Sequence, residues 1–247
     1  MLEIQYSHVI SMDDFQDFAV STRRHDDGPV SDWDLMFAEL VDGEGEEFLF
    51  QHGNGPALLM PEAFGVNTES EEAEELKDKM ADELSDILWF NFTIASHLQE
   101  SAKDLAAAAL AIHTGKEPPR IETFSDLQNE VLANAANIRV LNKMGIFLPD
   151  APDDIRYTSL AQNPYLVLTR TQRRLTRALD KGVRDLTPPT AAEMESITDV
   201  KIAVGDLMLV LPYIAKTRLG WNVEDIARYN AHKLTHRQRF GKAVPTP

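Results

Sequence analysis

Hydrophobic positions return every three or four residues along nearly the whole chain, and no stretch alternates convincingly as a half-buried strand would. The pattern predicts helices over residues 12–24, 31–51, 69–99, 101–113, 123–145, 158–181, 190–218 and 222–240. Residues suited to capping stand where several should begin: Ser11 before MDDF, Ser31 before DWD, Thr68 or Ser70 before EEAEE, and Asn222 before VEDIA. Gly53, Gly115, Gly145, Gly182 and Gly220 fall where helices should stop. Prolines 118–119, 149, 152 and 188–189 lie between the helices. The expectation is an all-α helical bundle.

The two halves of the chain echo one another. Asp14-Phe15-Gln16 is repeated as Asp126-Leu127-Gln128, DILWFNFTIA (86–95) as DLMLVLPYIA (206–215), and AKDLA (102–106) as VEDIA (223–227). The last two pairs sit 120 and 121 residues apart, in the same order. Three echoes in register favour a diverged tandem duplication. Residues 1–115 would form one repeat, 116–122 (KEPPRIE) a linker and 123–247 the second repeat, the two packed as one domain.

Carboxylates interrupt two of the apolar stripes. In ELVDGEGEEFLF (39–50), Asp42-Gly43 is locally a hairpin signal. Yet Trp33, Phe37 and Leu40 lead at helical spacing into Glu44 and Glu47. Leu76, Met80, Ile87, Phe90, Ile94 and Leu98 form a second stripe, with Glu83 in its gap and Asp86 on the same side. Burying one unpaired carboxylate costs several kcal/mol, so four together call for a cation between them. With no clustered His and no Cys to suggest zinc, an all-oxygen set suits Mg²⁺ or Mn²⁺. A di-iron bundle would place His three residues after Glu on two helices, and no Glu here has that partner. Either acid pair alone reads more readily as a solvated helix face than as a metal site.

Composition narrows the classes further. The 247 residues are long enough to bury a sizeable core, and 43% hydrophobic with 26% charged residues is the balance of a globular protein. A formal charge of −16 argues against a general nucleic-acid surface, but not against a nucleotide bridged by divalent cations. The absence of cysteine fits a reducing cytoplasm. The opening MLEIQYSHVI is unlike a signal peptide, and the apolar run 87–98 is shorter than the ~20 residues of a membrane span.

Taken with their order, these residues resemble the MazG-like all-α nucleoside triphosphate pyrophosphohydrolases, a superfamily that includes the all-α dUTPases and dCTP pyrophosphatases. DFQDFAVST (14–22) matches the family's opening helix, and Gly43-Glu44-Gly45-Glu46-Glu47 its glycine-glutamate helix. ELSDILWF (83–90) matches the following Glu-x-x-Asp helix, and LGWNVEDIARYNAHKLTHR (219–237) the closing stretch. The resemblance implies a Mg²⁺-dependent enzyme, with Mn²⁺ as a possible substitute, that hydrolyses a (d)NTP to the monophosphate and pyrophosphate for nucleotide-pool housekeeping. It implies Glu44, Glu47, Glu83 and Asp86 as metal ligands, with Glu47 or its rival Glu46 orienting the attacking water. Asn230, Lys233 and Arg237 would hold the polyphosphate, and Gln16 would lie near the base.

Two departures shape the expectation. The segment HGNGPALLMPEAFGVN (52–67) lengthens the gap between Glu47 and Glu83, as a lid or a decorated loop. The second half carries Ala203 and Asp206 at the Glu-x-x-Asp positions, while the first half has Ala109 and Ile112 where Asn230 and Lys233 stand in the second. These complementary losses suggest one composite site, with acids from one half and phosphate-binding groups from the other. Arg170, Arg173, Arg174 and Arg177 would face phosphates too, or form an exposed basic helix. Trp33, Trp89, Phe15 and Phe90 are stacking candidates or simply core. The chain would act as a monomer, an internal pseudo-dimer, or as a homodimer. A non-catalytic nucleotide- or protein-binding module of the same fold is the competing reading, and a related enzyme acting on a diphosphate or a phosphoribosyl nucleotide stays open.

Overall fold

The computed structural model describes residues 11–22, 69–142 and 191–240. The expected helices 31–51 and 158–181 lie outside them, as do the 52–67 segment, Glu44, Glu46, Glu47, Trp33, the arginines 170–177 and the stops Gly53, Gly145 and Gly182. Helices α1 (Met12–Thr22), α2 (Glu71–His97), α3 (Ala102–Thr114), α4 (Phe124–Asn134), α5 (Arg139–Asn142), α6 (Ala191–Ile214) and α7 (Val223–Phe240) follow in order. Among the described residues there is no strand, only an isolated antiparallel bridge between Ser11 and Thr123. The all-α expectation holds for what is described. No described helix is long and apolar enough to cross a membrane.

Most boundaries follow local chemistry. Ser70 Oγ accepts from the Ala73 amide and Ser11 Oγ from the Asp14 amide, at 3.2 and 3.0 Å. Gly115 and Gly220 end their helices in the left-handed conformation, φ 71° and 78°. The fourth helix stops earlier than its pattern predicts. Asn134 Nδ2 bonds back to the Glu130 carbonyl at 2.9 Å, and its Oδ1 accepts from Lys116 Nζ at 2.8 Å. The chain then tightens into a 3₁₀ turn at Ala135–Asn137 before the single turn of α5.

Two helix starts are capped from a distance. Ser101 makes no side-chain cap bond; Gln16 Oε1 accepts from the Ala102 amide instead, at 2.8 Å. Gln128 Oε1 accepts from the Val223 amide at 2.9 Å in the same way. Gln16 Nε2 is also engaged, donating to Ser96 Oγ and the Glu100 carbonyl at 2.9 and 2.7 Å. Gln16 therefore ties α1 to the start of α3, and Gln128 ties α4 to the start of α7.

The packing runs in parallel pairs. As α1 packs on α2 and α3, so α4 packs on α6 and α7; as α2 meets α7, so α6 meets α3; and α2 and α6 cross each other at the centre. The one-residue difference between the echo spacings, 120 before the end of α2 and 121 after it, has a structural home. Glu100 N–H reaches the Ala95 carbonyl, whereas Trp221 N–H reaches the Ala215 carbonyl through the π-helical turn Ala215–Leu219, each at 3.0 Å. The π turn takes up one extra residue.

The core is continuous across both halves. Phe15 of α1 meets Phe92 of α2 and Phe124 of α4 edge-on, with ring centroids 4.9 and 5.5 Å apart. Such pairs contribute about 0.5–1.5 kcal/mol each beyond burial. Phe15 is fully buried there, which accounts for it as core. Trp89 Nε1 donates to Thr22 Oγ1 at 2.9 Å, and its ring lies edge-on to Phe90 at 4.8 Å.

Candidate functional site

Polar groups gather where α2 crosses α7. Helix α2 is buried well beyond its expected stripe: Leu84, Ser85, Leu88, Asn91 and Phe92 are covered as well as Met80, Ile87 and Ile94. One stretch of its surface carries Asp82, Ser85 and Asp86, which helical spacing sets on one face. Tyr229, Asn230 and Lys233 of α7 come onto that face.

Lys233 is 1% exposed. Its ammonium lies 2.6 Å from Asp86 Oδ1 and donates also to Asp82 Oδ1. Asn230, wholly buried, donates from Nδ2 to the same Asp86 oxygen at 2.8 Å and to Ser85 Oγ at 3.2 Å. Its Oδ1 is buried with no hydrogen-bond partner among the described residues. The Tyr229 ring centroid lies 5.8 Å from Lys233 Nζ.

The electrostatics follow from this crowding. Burial pushes the Asp86 carboxyl above its ordinary value; the charge and hydrogen bond of Lys233 pull it back, Asp82 adds to the rise, and Arg237 opposes it. Burial, reinforced by the charges of Asp82 and Asp86, pushes the Tyr229 phenol up to about 12. Tyr229 is therefore neutral at pH 7 and keeps its proton to donate. Arg237 is exposed one turn beyond Lys233.

Of the expected site residues, Asp86, Asn230 and Lys233 meet directly, although Asp86 stands 144 residues from Asn230 in sequence and further from Lys233. Glu83 is partly buried on α2, one turn before Asp86. Gln16 is away from this crossing, with its amide used at the α1–α3 junction. Asp82, Ser85 and Tyr229 escape the stripe reading. The signal for Asp82 is its place four residues before Asp86, and for Tyr229 its place four before Lys233.

The pairing of α6 with α3 repeats the crossing with different residues. Asp206 stands 120 residues after Asp86 and is 2% exposed, but its partner is His113 Nε2, at 2.6 Å. Where Ser85 and Asn230 face each other, Gly205 and Ala109 do so here. A Cβ at Gly205 would lie 2.7 Å from the Leu105 carbonyl oxygen and 2.8 Å from Ala109 Cβ. The helices have closed over the room that the polar pair occupies at the α2–α7 crossing. Ile112, aligned with Lys233, points outward at 57% exposure.

Among the described residues, no group of three or more His, Asp or Glu side chains is arranged to hold a metal ion. What the crossing offers is two carboxylates, Asp82 and Asp86, that together hold the Lys233 ammonium. Those carboxylates fit Mg²⁺ or Mn²⁺. No protein-family model, curated protein or solved structure matches this chain.

Proposed function

We propose that this protein is a Mg²⁺-dependent nucleoside triphosphate pyrophosphohydrolase built from two diverged MazG-like repeats, with one composite site. The observation that carries the reading is the meeting of Asp86 from the first half with Asn230 and Lys233 from the second. The paired contacts of Gln16 and Gln128, and of α2–α7 and α3–α6, support the duplication. The closed Gly205–Ala109 crossing supports a single site.

In this reading Glu83 and Asp86, with Glu44 and Glu47, hold the metal. The bound ions would polarise the phosphoryl oxygens and make water nucleophilic at neutral pH. Asn230 fixes the Asp86 carboxylate through its Nδ2. Lys233 supplies a charge for the leaving pyrophosphate, and exposed Arg237 extends that charge along the polyphosphate. Glu47 or Glu46 would take the water proton.

A non-catalytic nucleotide- or protein-binding module of the same fold is the second reading. What favours it is that the charge of Lys233 is already met by Asp82 and Asp86. The test is incubation of the purified protein with each common NTP and dNTP plus Mg²⁺ or Mn²⁺, measuring pyrophosphate, with Glu83→Gln as the blank. Pyrophosphate from wild type alone supports the enzyme. Silence from folded wild type across the panel supports the module.

A further inference from the structure

Lys233 places an ammonium where a bound metal would compete with it. Asp86 Oδ1 receives both Lys233 Nζ, at 2.6 Å, and Asn230 Nδ2, at 2.8 Å. A Mg²⁺ ion binds carboxylate oxygen at about 2.0–2.1 Å. A dication and an ammonium on one oxygen would lie within about 4–5 Å of each other in a partly desolvated crossing, where like charges repel strongly.

The two donors differ in their freedom to leave. Asn230 is wholly buried and also bonded to Ser85, whereas the lysine ammonium sits on a flexible four-carbon stem. Lys233 also has other holds: the Asp82 carboxylate, 37% exposed, and the face of Tyr229. Among the described residues, the buried Asn230 Oδ1 is an acceptor without a hydrogen-bond partner.

We infer that Lys233 is the resident cation of the Asp82–Asp86 pair, and that metal–nucleotide binding is an exchange in which a divalent ion takes the Asp86 oxygen while the lysine ammonium passes to the polyphosphate. The inference rests on the proposed nucleotide reading and adds a coupling to it. Metal alone must displace an ammonium that has no new partner; metal with nucleotide gives that ammonium an anion. The two ligands therefore favour each other reciprocally, within the roughly 5–150-fold range usual for coupled sites.

The experiment titrates Mn²⁺ into the full chain by calorimetry, with and without an α,β-imido nucleoside triphosphate. Wild type, Lys233→Met and Lys233→Gln are compared, each first checked for helical content. The expected result is that Lys233→Met binds Mn²⁺ alone at least ~5-fold more tightly than wild type and loses most of the coupling. Lys233→Gln, which keeps a hydrogen-bond donor but no charge, also binds Mn²⁺ alone more tightly. Should Lys233→Met fail to fold, Lys233→Gln decides the matter. If wild type binds both ligands but the folded lysine variants bind Mn²⁺ no more tightly, the exchange is overturned and the nucleotide reading survives. If folded wild type and variants bind neither Mn²⁺ nor the analogue, the nucleotide reading falls and the exchange with it.

Discussion

Lys233 and Asp86 lie on helices from opposite halves of the chain, with Nζ 2.6 Å from Oδ1, and the lysine is 1% exposed. Removing one member of a buried pair commonly costs about 3–5 kcal/mol. Asp82, the lysine's other partner, is 37% exposed and can rehydrate, so Lys233→Met is expected near the low end of that range. Urea denaturation of wild type and variant measures the difference.

The α3–α6 crossing should tolerate no added atoms. At Gly205 a new Cβ would meet backbone at 2.7 Å and another Cβ at 2.8 Å, and neither is the end of a flexible side chain. Overpacking of this kind costs typically about 1–3 kcal/mol. Gly205→Ala is expected to lower the denaturation midpoint accordingly. Helix propensity alone would give the opposite sign, since Ala is favoured over Gly by about 1 kcal/mol.

Gln16 and Gln128 should behave alike. Each accepts from the first amide of a distant helix, and truncation leaves that donor without its partner, at about 1–3 kcal/mol. Gln16→Ala and Gln128→Ala are expected to destabilise by similar amounts. Unchanged stability with weakened nucleotide binding in Gln16→Ala alone would restore the base-contact role that the family resemblance assigned to it.

The start of α4 gives a pH signature. Asp126 is slightly buried, which raises its carboxyl, but hydrogen bonds from the Thr123 backbone and side chain and from the Glu122 amide outweigh this and hold it below its ordinary value. With Thr123 it forms a reciprocal capping box. A depressed folded value contributes stability that is complete above the unfolded value, about 3.9, and is lost as pH falls through the folded one. Asp126→Asn should therefore be less stable than wild type at pH 7 by about 0.5–2 kcal/mol. The gap should narrow below about pH 4. Thermal unfolding between pH 2.5 and 7 checks it.

Most of the described helices are legible because burial imposes its period on the sequence, and Ser70, Gly115 and Gly220 announce their roles through purely local chemistry. The distant caps are not, because Gln16 and Gln128 look like any exposed helical glutamine until α3 and α7 arrive. The stripe of α2 was read too narrowly. A helix crossed by α1, α6 and α7 buries Ser85 and Asn91 as readily as leucine, and nothing in a single helical projection reveals that. The meeting of Asp86 with Asn230 and Lys233 was foreshadowed by the complementary losses between the halves. His113 was missed because it stands one position past Ile112, the residue that alignment sets against Lys233.

The most direct test of a composite single site compares pyrophosphate release by wild type, Glu83→Gln, Lys233→Ala and Asp206→Asn on the best nucleotide substrate. Glu83→Gln and Lys233→Ala are expected to lose most of the activity. Asp206→Asn, which keeps a hydrogen-bonding group opposite His113, should retain nearly all of it. Comparable loss at Asp206, or full activity without Lys233, would contradict a site assembled from the acids of one half and the lysine of the other.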